Sequence, residues 1–255
     1  MINISYMKHV KPYTSLLLEQ SDRSREDVAQ DPNTPVETLV QLAKDPKVKV
    51  REGVARNHNS PIKTLVQLAK DPEIEVRWRV ASNPNTPVET LIDLARDPDS
   101  DVRRNVARNH NTPVETLAQL AADRYYLVRC GVAENPNTPV EILMDLARNR
   151  DSEVRRNVAD NLKTPAEVLA ELAEDDDYRV LWRVVEHPNV SVETLVQLAA
   201  NGDASLRRVV ARNPNTPIKT LLQLAEDPDP KVSQKAQEHP NYPNNLADFL
   251  KFDWR

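Results

Sequence analysis

The nine residues NPNTPVETL at positions 83–91 return almost unchanged as NPNTPVEIL at 135–143 and as NPNTPIKTL at 213–221. The proline after the threonine recurs in steps of 26 residues, and Ser191 keeps the phase at the one step where the proline is missing. These prolines are Pro35, Pro61, Pro87, Pro113, Pro139, Pro165, Pro217 and Pro243. A strict period of this length is typical of a solenoid, whose stacked repeats together bury faces that one repeat alone leaves exposed.

Each repeat, numbered from its proline as position 1, begins with the signals of a helix N-terminus. In the repeat that starts at Pro87, the pattern predicts Thr86 as the N-cap, Pro87 as the first helical residue and Glu89 as the acidic member of a capping box. Positions 5, 8 and 9 are Leu, Leu and Ala in all eight repeats, and position 2 is Val or Ile in seven. Their spacing predicts one apolar stripe along a first helix.

A short turn, such as Asp97-Pro98-Asp99, leads to a second helix with apolar residues at positions 16, 20 and 21. The sequence therefore predicts an all-α fold, a right-handed α-solenoid of about eight helix–turn–helix repeats. Its predicted divisions are an N-terminal cap with a half-repeat (1–34), eight repeats (35–242) and a C-terminal cap (243–255). In the last of these, three apolar residues are expected to cover the open face of the final repeat: Phe249, Leu250 and Trp254.

The composition is that of an ordinary globular chain, with 39% hydrophobic and 29% charged residues and a net charge of −5. Cys130 is the only cysteine, which excludes an internal disulfide and any cysteine-based metal cluster within one chain. The N-terminal stretch has no apolar run near the ~20 residues of a membrane span. We therefore expect a cytoplasmic protein with no membrane partner.

The repeat unit, with Asp-Pro before a Val-Arg helix and Asn-Pro-Asn-Thr-Pro before a leucine-rich one, resembles that of the leucine-rich repeat variant family over about residues 24–250. More broadly it is similar to short HEAT-type repeats. The resemblance implies an α-solenoid but no single activity, because such repeats serve many scaffolds. One family member joins its repeats to an N-terminal cysteine cluster that binds iron and sulfur; this sequence has no cysteine before Cys130, so no iron–sulfur cluster is expected.

Four of the five histidines form two pairs, His58 with His110 at position 24 and His187 with His239 at position 23. The members of each pair are two repeats apart, about 20 Å at the usual spacing of packed helices. Bonds to a metal are near 2 Å, so no metal site is expected. We expect these histidines to replace Pro or Asn in a turn, and we expect no cofactor.

Four other features have a functional and a structural interpretation. Gly53 and Gly131 lie within second helices, where glycine is less favourable than alanine. They either make room for a partner's backbone or, more simply, are glycines that the helix tolerates. Cys130 has no histidine placed as a base, which speaks against a nucleophile. The acidic run 174–177 is a cation site or, more simply, a solvated turn.

Position 17 is Arg and position 11 is Asp in six repeats each. An Asp–Arg ladder that ties turns to helices is the simplest explanation, since charge-assisted hydrogen bonds suit such a regular arrangement. The predicted ladder comprises Arg51, Arg77, Arg103, Arg129, Arg155 and Arg207 with Asp45, Asp71, Asp97, Asp123, Asp175 and Asp227.

Position 18 lies about 200° around the helix from the apolar position 16 and is therefore predicted to face solvent. Trp and Arg are frequent at and around this position, and both are enriched at interface hot spots. The predicted partner-binding ridge comprises Trp78, Arg79, Arg104, Arg108, Arg156, Trp182, Arg183, Arg208 and Arg212. The alternative is that each tryptophan folds over its neighbouring repeat.

The charges are segregated between the two helix layers. Over the eight repeats, positions 1–13 sum to −15 and positions 15–22 sum to +10. A basic layer that carries tryptophans favours a non-enzymatic scaffold for an acidic protein or peptide. Nucleic acid on the same face is the alternative. A HEAT-like enzyme or lyase subunit is the third, although no motif of the bilin lyase subunits or DNA glycosylases of that class is present.

Overall fold

A computed structural model describes residues 24–243 and divides the chain into two compact units, Met1–Asn137 and Thr138–Arg255. Every regular element within the described residues is a helix. The predicted N-terminal cap is described only from residue 24. Phe249, Leu250 and Trp254 lie outside the described residues, so the predicted C-terminal cap stays a prediction.

The first unit contains nine described helices in alternating first and second positions of the repeat. They are α1 (Arg25–Gln30), α2 (Val36–Leu42), α3 (Val48–Arg56), α4 (Ile62–Leu68), α5 (Ile74–Ser82), α6 (Val88–Leu94), α7 (Ser100–Arg108), α8 (Val114–Ala121) and α9 (Tyr126–Glu134).

The second unit contains eight described helices in the same alternation. They are α10 (Val140–Ala147), α11 (Ser152–Asp160), α12 (Ala166–Leu172), α13 (Tyr178–Glu186), α14 (Val192–Asn201), α15 (Ala204–Val210), α16 (Ile218–Ala225) and α17 (Pro230–Gln237). The predicted α-solenoid of helix–turn–helix repeats is confirmed.

Within each unit, consecutive second helices pack directly against one another, while consecutive first helices touch much less. The leucines of position 5, such as Leu117, and the valines of positions 16 and 20, such as Val102 and Val106, are fully buried between the two layers. Burying each of these side chains contributes about 1.5–3 kcal/mol. The second helices therefore form the more closely packed layer, in which neighbouring side chains meet.

The predicted capping box is wrong. The first helices begin one residue later than expected, with Pro87 as the N-cap of α6 and no side-chain cap hydrogen bond there. Thr86 is buried, and its hydroxyl donates to the carbonyl of Val80, 2.6 Å away in the last turn of α5. Its side chain thus caps the C-terminus of the helix before it. Where serine replaces the proline, Ser191 Oγ does accept a hydrogen bond, from the Thr194 N–H at 3.1 Å.

Position 2 also departs from the predicted apolar stripe. Val36 is 45% exposed and Ile62 is 61% exposed. The reason is that each helix begins at position 2, so this residue lies at the outer edge of the first turn. Position 6 adds a second exposed apolar residue one turn later, as in Val40 and Val66.

Asparagine at position 23 joins each repeat of the first unit to the one before. Asn109 is buried, and its Nδ2 donates to the carbonyls of Ala81 at 2.8 Å and Asn83 at 3.0 Å. Its Oδ1 accepts a hydrogen bond from the Asn111 N–H at 2.9 Å. The last carbonyls of a helix have no partner within the helix, so Asn109 caps the C-terminus of α5 from the following repeat. Three other asparagines make the equivalent bonds: Asn57, Asn83 and Asn135.

Position 17 provides a second joint. Arg51 donates from Nε to Asp71 Oδ2 at 2.6 Å and from Nη2 to Asp71 Oδ1 at 3.0 Å, while its Nη1 reaches the Asp45 carbonyl at 2.9 Å. The same paired bonds join Arg77 to Asp97, Arg103 to Asp123, Arg155 to Asp175 and Arg207 to Asp227. At the first rung Asp45 pairs with Arg25 at 2.9 Å. Arg129 donates from Nη1 to the Asp123 carbonyl at 2.7 Å.

The two helical glycines lie where a neighbouring helix comes closest. A Cβ on Gly131 would lie 2.9 Å from the Arg104 carbonyl oxygen and 3.0 Å from Ala107 Cβ on α7. A Cβ on Gly53 would lie 2.9 Å from Ala29 Cβ on α1. Neither is a tolerated accident, and the space that they leave is filled by the chain itself rather than by a partner's backbone.

His187 and His239 take the place of the position-23 asparagine in the second unit. His187 is buried; its Nε2 donates to the Asn161 carbonyl at 3.0 Å, and its Nδ1 accepts the Asn189 N–H at 3.0 Å. His239 makes the same two bonds, to Asn213 and Asn241. With Nε2 against a carbonyl and Nδ1 against an N–H, both rings act as joints in the turn.

The His187 joint is expected to weaken in acid. Burial lowers the pKa of His187, with the hydrogen bond to Asn161 opposing it only in part. The unfolded chain gains a proton near pH 6.5, where the folded ring resists it, so stability falls as the pH drops below about 6.5. Urea unfolding at pH 7.5 and 5.0 should show a smaller loss for His187→Asn than for the unaltered chain. Equal losses in both proteins would contradict this assignment.

Candidate functional site

Position 18 is less exposed than its angle on an isolated helix predicts. Trp78, Arg104 and Trp182 are half-buried, and Cys130 is buried. The close packing of consecutive second helices explains the difference, because position 18 of one helix lies beside the next helix. The expectation that this whole position faces open solvent is therefore wrong, and several of the predicted ridge residues instead line two grooves between helices.

Trp78 on α5 is held from one side by arginine. The guanidinium carbon of Arg79 lies 3.8 Å from the centre of the Trp78 ring, a cation–π contact. Arg79 is in turn fixed by Glu52 of α3, whose Oε1 lies 3.0 Å from its Nε and its Nη2. Burial acts to raise the pKa of Glu52, but the hydrogen bonds from Lys49 and Arg79 outweigh it and hold this pKa below its usual value. The indole is thus fixed before any ligand arrives.

A groove of about 540 Å³ runs between α5 and α7 beside Trp78. Ile74 and Trp78, one turn apart on α5, provide its apolar side, and Arg104 and Arg108, one turn apart on α7, provide its basic side. Its other lining residues are Glu75, Asp99, Asp101 and Asn105. The described lining of the groove is therefore mostly polar, with Ile74 and Trp78 as its two apolar side chains.

Within the described part of the protein, some charged side chains of this groove already form ion pairs, and others do not. Arg108 is paired with Glu134 of α9. Arg104 makes no ion pair with any residue in 24–243, and its Nε is buried without a hydrogen-bond partner there. Glu75 and Asp101 are exposed carboxylates that are likewise outside the ion pairs of the described chain. Arg104 is therefore the cation most available to a ligand.

The second unit has a groove of about 400 Å³ beside Trp182, whose ring meets Tyr178 edge-on at 6.4 Å between centroids. Its arginines are occupied by the protein's own carboxylates. Arg156 pairs with Glu153 at 2.8 Å and Arg183 with Asp160 at 3.2 Å, while Arg179 bridges Glu153 and Asp177 at 2.7 Å each. The hydrogen bond from Arg179 lowers the pKa of Asp177 far below its usual value.

The structure separates the predicted ridge residues into two groups that lie in different units. Trp78, Arg104 and Arg108 share one groove, with Arg79 behind the indole. Arg156, Trp182 and Arg183 share the other. Arg208 is half-buried and Arg212 is exposed, at and after α15, and neither lines the groove beside Trp78 or the groove beside Trp182.

Sequence reasoning missed Ile74, Glu75 and Asp101. All three lie at positions 14 and 15, one turn before position 18 on the same helix face. Residues three and four apart are neighbours on a helix. The spacing from position 18 could therefore have predicted that positions 14 and 15 lie on the same face.

Residues 24–243 hold no group of three or more His, Cys, Asp or Glu side chains arranged to bind a metal ion. No helix in that range is long and apolar enough to cross a membrane.

The profile of the leucine rich repeat variant family matches residues 101–124 and 206–229, each running from a second helix into the following first helix. Among solved structures, a leucine-rich repeat variant with a novel repetitive protein structural motif is similar to this chain at a TM-score of 0.65. It shares 29% identity over 84% of this chain and 85% of that one. Two stretches of this chain thus match the leucine-rich repeat variant profile, and the fold is similar to that of a solved leucine-rich repeat variant.

An engineered protein is similar to this chain at 20% identity and a TM-score of 0.41, over 84% of this chain and 81% of that one. A second engineered protein shares 22% identity at a TM-score of 0.31, over 79% of this chain and 93% of that one. No curated protein sequence matches the chain.

Proposed function

We propose that this leucine-rich repeat variant solenoid is a non-enzymatic scaffold that binds a protein or peptide in the groove between α5 and α7. The observation that carries the proposal is the preset indole of Trp78 beside the unpaired guanidinium of Arg104. Trp and Arg in a half-buried position are the residues most often responsible for interface affinity. Because the ring is already fixed by Arg79, little side-chain entropy is lost on binding.

The groove favours a peptide over nucleic acid. Phosphate backbones bind rows of unpaired cations, but Arg79, Arg108, Arg156 and Arg183 are each engaged by a carboxylate of the protein. The groove also includes Glu75 and Asp101, which repel phosphate. A partner with an apolar side chain for Trp78 and a carboxylate for Arg104 suits these contacts.

Panning a random peptide library against the immobilised chain tests the proposal. Trp78→Ala and Arg104→Glu are each expected to weaken the recovered peptides about 30-fold, as loss of a hot spot of about 2 kcal/mol would. Arg208→Glu is the matched control, with the same charge change at the same repeat position outside the groove, and should bind normally.

The melting temperatures of all three variants should be measured alongside. Peptides that bind Trp78→Ala and Arg104→Glu undiminished would overturn the proposal. Failure of the library together with retention of a single-stranded oligonucleotide, lost steeply with salt, would favour nucleic acid instead.

A further inference from the structure

The charges of the α5–α7 groove are arranged in order along its length. Since α5 and α7 are consecutive second helices in parallel, residues 26 apart occupy equivalent levels. Glu75 and Asp101 share the level nearest the helix N-termini, Trp78 and Arg104 share the next, and Arg108 lies one turn beyond. The groove thus has an acidic end, an apolar middle and a basic end.

We propose that this groove selects a bipolar peptide segment, one with a cationic side chain at the end near Glu75 and Asp101 and an anionic side chain at the end near Arg104 and Arg108. This inference rests on the proposed peptide-binding function and specifies its ligand. It replaces a uniformly acidic partner with one whose charges are separated around an apolar residue.

The spacing of the two charges follows from helix geometry. Asp101 and Arg108 are seven residues apart on α7, and at 1.5 Å per residue this is about 10 Å along the groove. An extended peptide covers that distance in about three residues. The preferred segment therefore has a Lys or Arg and a Glu or Asp about three residues apart, with a leucine-like or aromatic side chain between them over Trp78.

The acidic end is available for such a contact. The carboxylates of Glu75 and Asp101 are exposed and form no ion pair with the described residues. Asp99, by contrast, is committed to the helix, since its Oδ1 accepts the N–H groups of Asp101 at 2.8 Å and Val102 at 3.3 Å. Glu75 and Asp101 are thus the pair to alter, because no hydrogen bond of their carboxylates to the rest of the described chain would be lost.

Three fluorescent twelve-residue peptides, built on a sequence recovered by panning, test the inference. One keeps a Lys and a Glu three residues apart around a leucine, one has Glu at both places, and one has Lys at both. Anisotropy titrations with the unaltered chain should give the tightest binding for the Lys/Glu peptide, by about tenfold over the Glu/Glu peptide at low salt.

The double variant Glu75→Lys/Asp101→Lys should invert that order and favour the Glu/Glu peptide, which a general loss of folding would not do. Equal binding of the Lys/Glu and Glu/Glu peptides to the unaltered chain would overturn the inference while leaving the scaffold function standing. If Trp78→Ala binds all three peptides as tightly as the unaltered chain, the proposed function itself fails.

Discussion

Asn109→Leu is expected to destabilise the protein by about 3–6 kcal/mol, one of the largest effects of any single substitution outside the apolar core. Leucine has nearly the shape of asparagine but none of its hydrogen bonds. The buried carbonyl of Ala81 would lose its partner, and the carbonyl of Asn83 and the N–H of Asn111 would each lose one hydrogen bond. An unsatisfied buried polar group costs about 1–3 kcal/mol. Urea unfolding followed by circular dichroism measures the loss.

The chain itself provides the control for this prediction. His187 and His239 occupy the same repeat position and still make one carbonyl bond and one N–H bond each. Asn109→His should therefore cost only about 1 kcal/mol at pH 7.5, the value of one net hydrogen bond. Should the histidine and leucine variants be equally unstable, shape rather than hydrogen bonding holds the joint.

Arg103→Ala is expected to cost about 3–5 kcal/mol, the usual result of removing one partner of a buried ion pair. The guanidinium is buried and donates to both oxygens of Asp123, at 2.7 and 3.1 Å, and to the carbonyl of Asp97 at 2.8 Å. Without it, the Asp123 carboxylate loses its countercharge and the turn loses a donor. The melting temperature and the urea midpoint should both fall.

The pH dependence gives this prediction a second readout. Burial acts to raise the pKa of Asp123, but the hydrogen bond from Arg103 outweighs it, so the pKa lies below its usual value. The ion pair therefore stabilises the fold above about pH 4 and is lost as the pH falls through the lowered pKa. Arg103→Ala should lose less stability on acidification than the unaltered chain does.

Asp123→Asn is the matched control for the ion pair. In the unaltered chain the Tyr125 N–H donates to Asp123 Oδ1 at 2.9 Å. An asparagine side chain keeps an oxygen for this bond, as Asn149 does for the Asp151 N–H two repeat positions later. We expect this variant to be more stable than Asp123→Ala by about 1 kcal/mol. Equal stability of the two would mean that the backbone bond contributes nothing.

The repeat period and the buried apolar positions could be predicted from the sequence because they depend on spacing alone. Leu117 at position 5, and Val102 and Val106 at positions 16 and 20, have apolar counterparts in all eight repeats. The repetition leaves little doubt about which face of each helix is buried. The structure places these residues in the core as that spacing requires. Each repeat also buries the apolar faces of its neighbours. The buried positions of one repeat therefore predict the buried positions of the next.

Thr86 and Trp78 were harder to place because their environment comes from other helices. A threonine before a proline satisfies the rule for a helix start, yet the nearest unpaired carbonyl belongs to Val80, in the helix before. The exposure of Trp78 depends on how closely α7 packs against α5. The spacing of residues along one helix does not predict that distance. Only the three-dimensional stack determines which side chains border the groove.

The Asn109 joint has a consequence for how such a chain changes length. Its two carbonyl partners, Ala81 and Asn83, lie 28 and 26 residues earlier, and the Arg103–Asp123 pair spans 20. These three partners are thus supplied by adjacent repeats. Duplicating or deleting a whole 26-residue segment within a unit restores each bond with an equivalent residue, whereas a shift of one residue breaks them all. The number of repeats can therefore change in whole 26-residue units without any new type of contact between repeats.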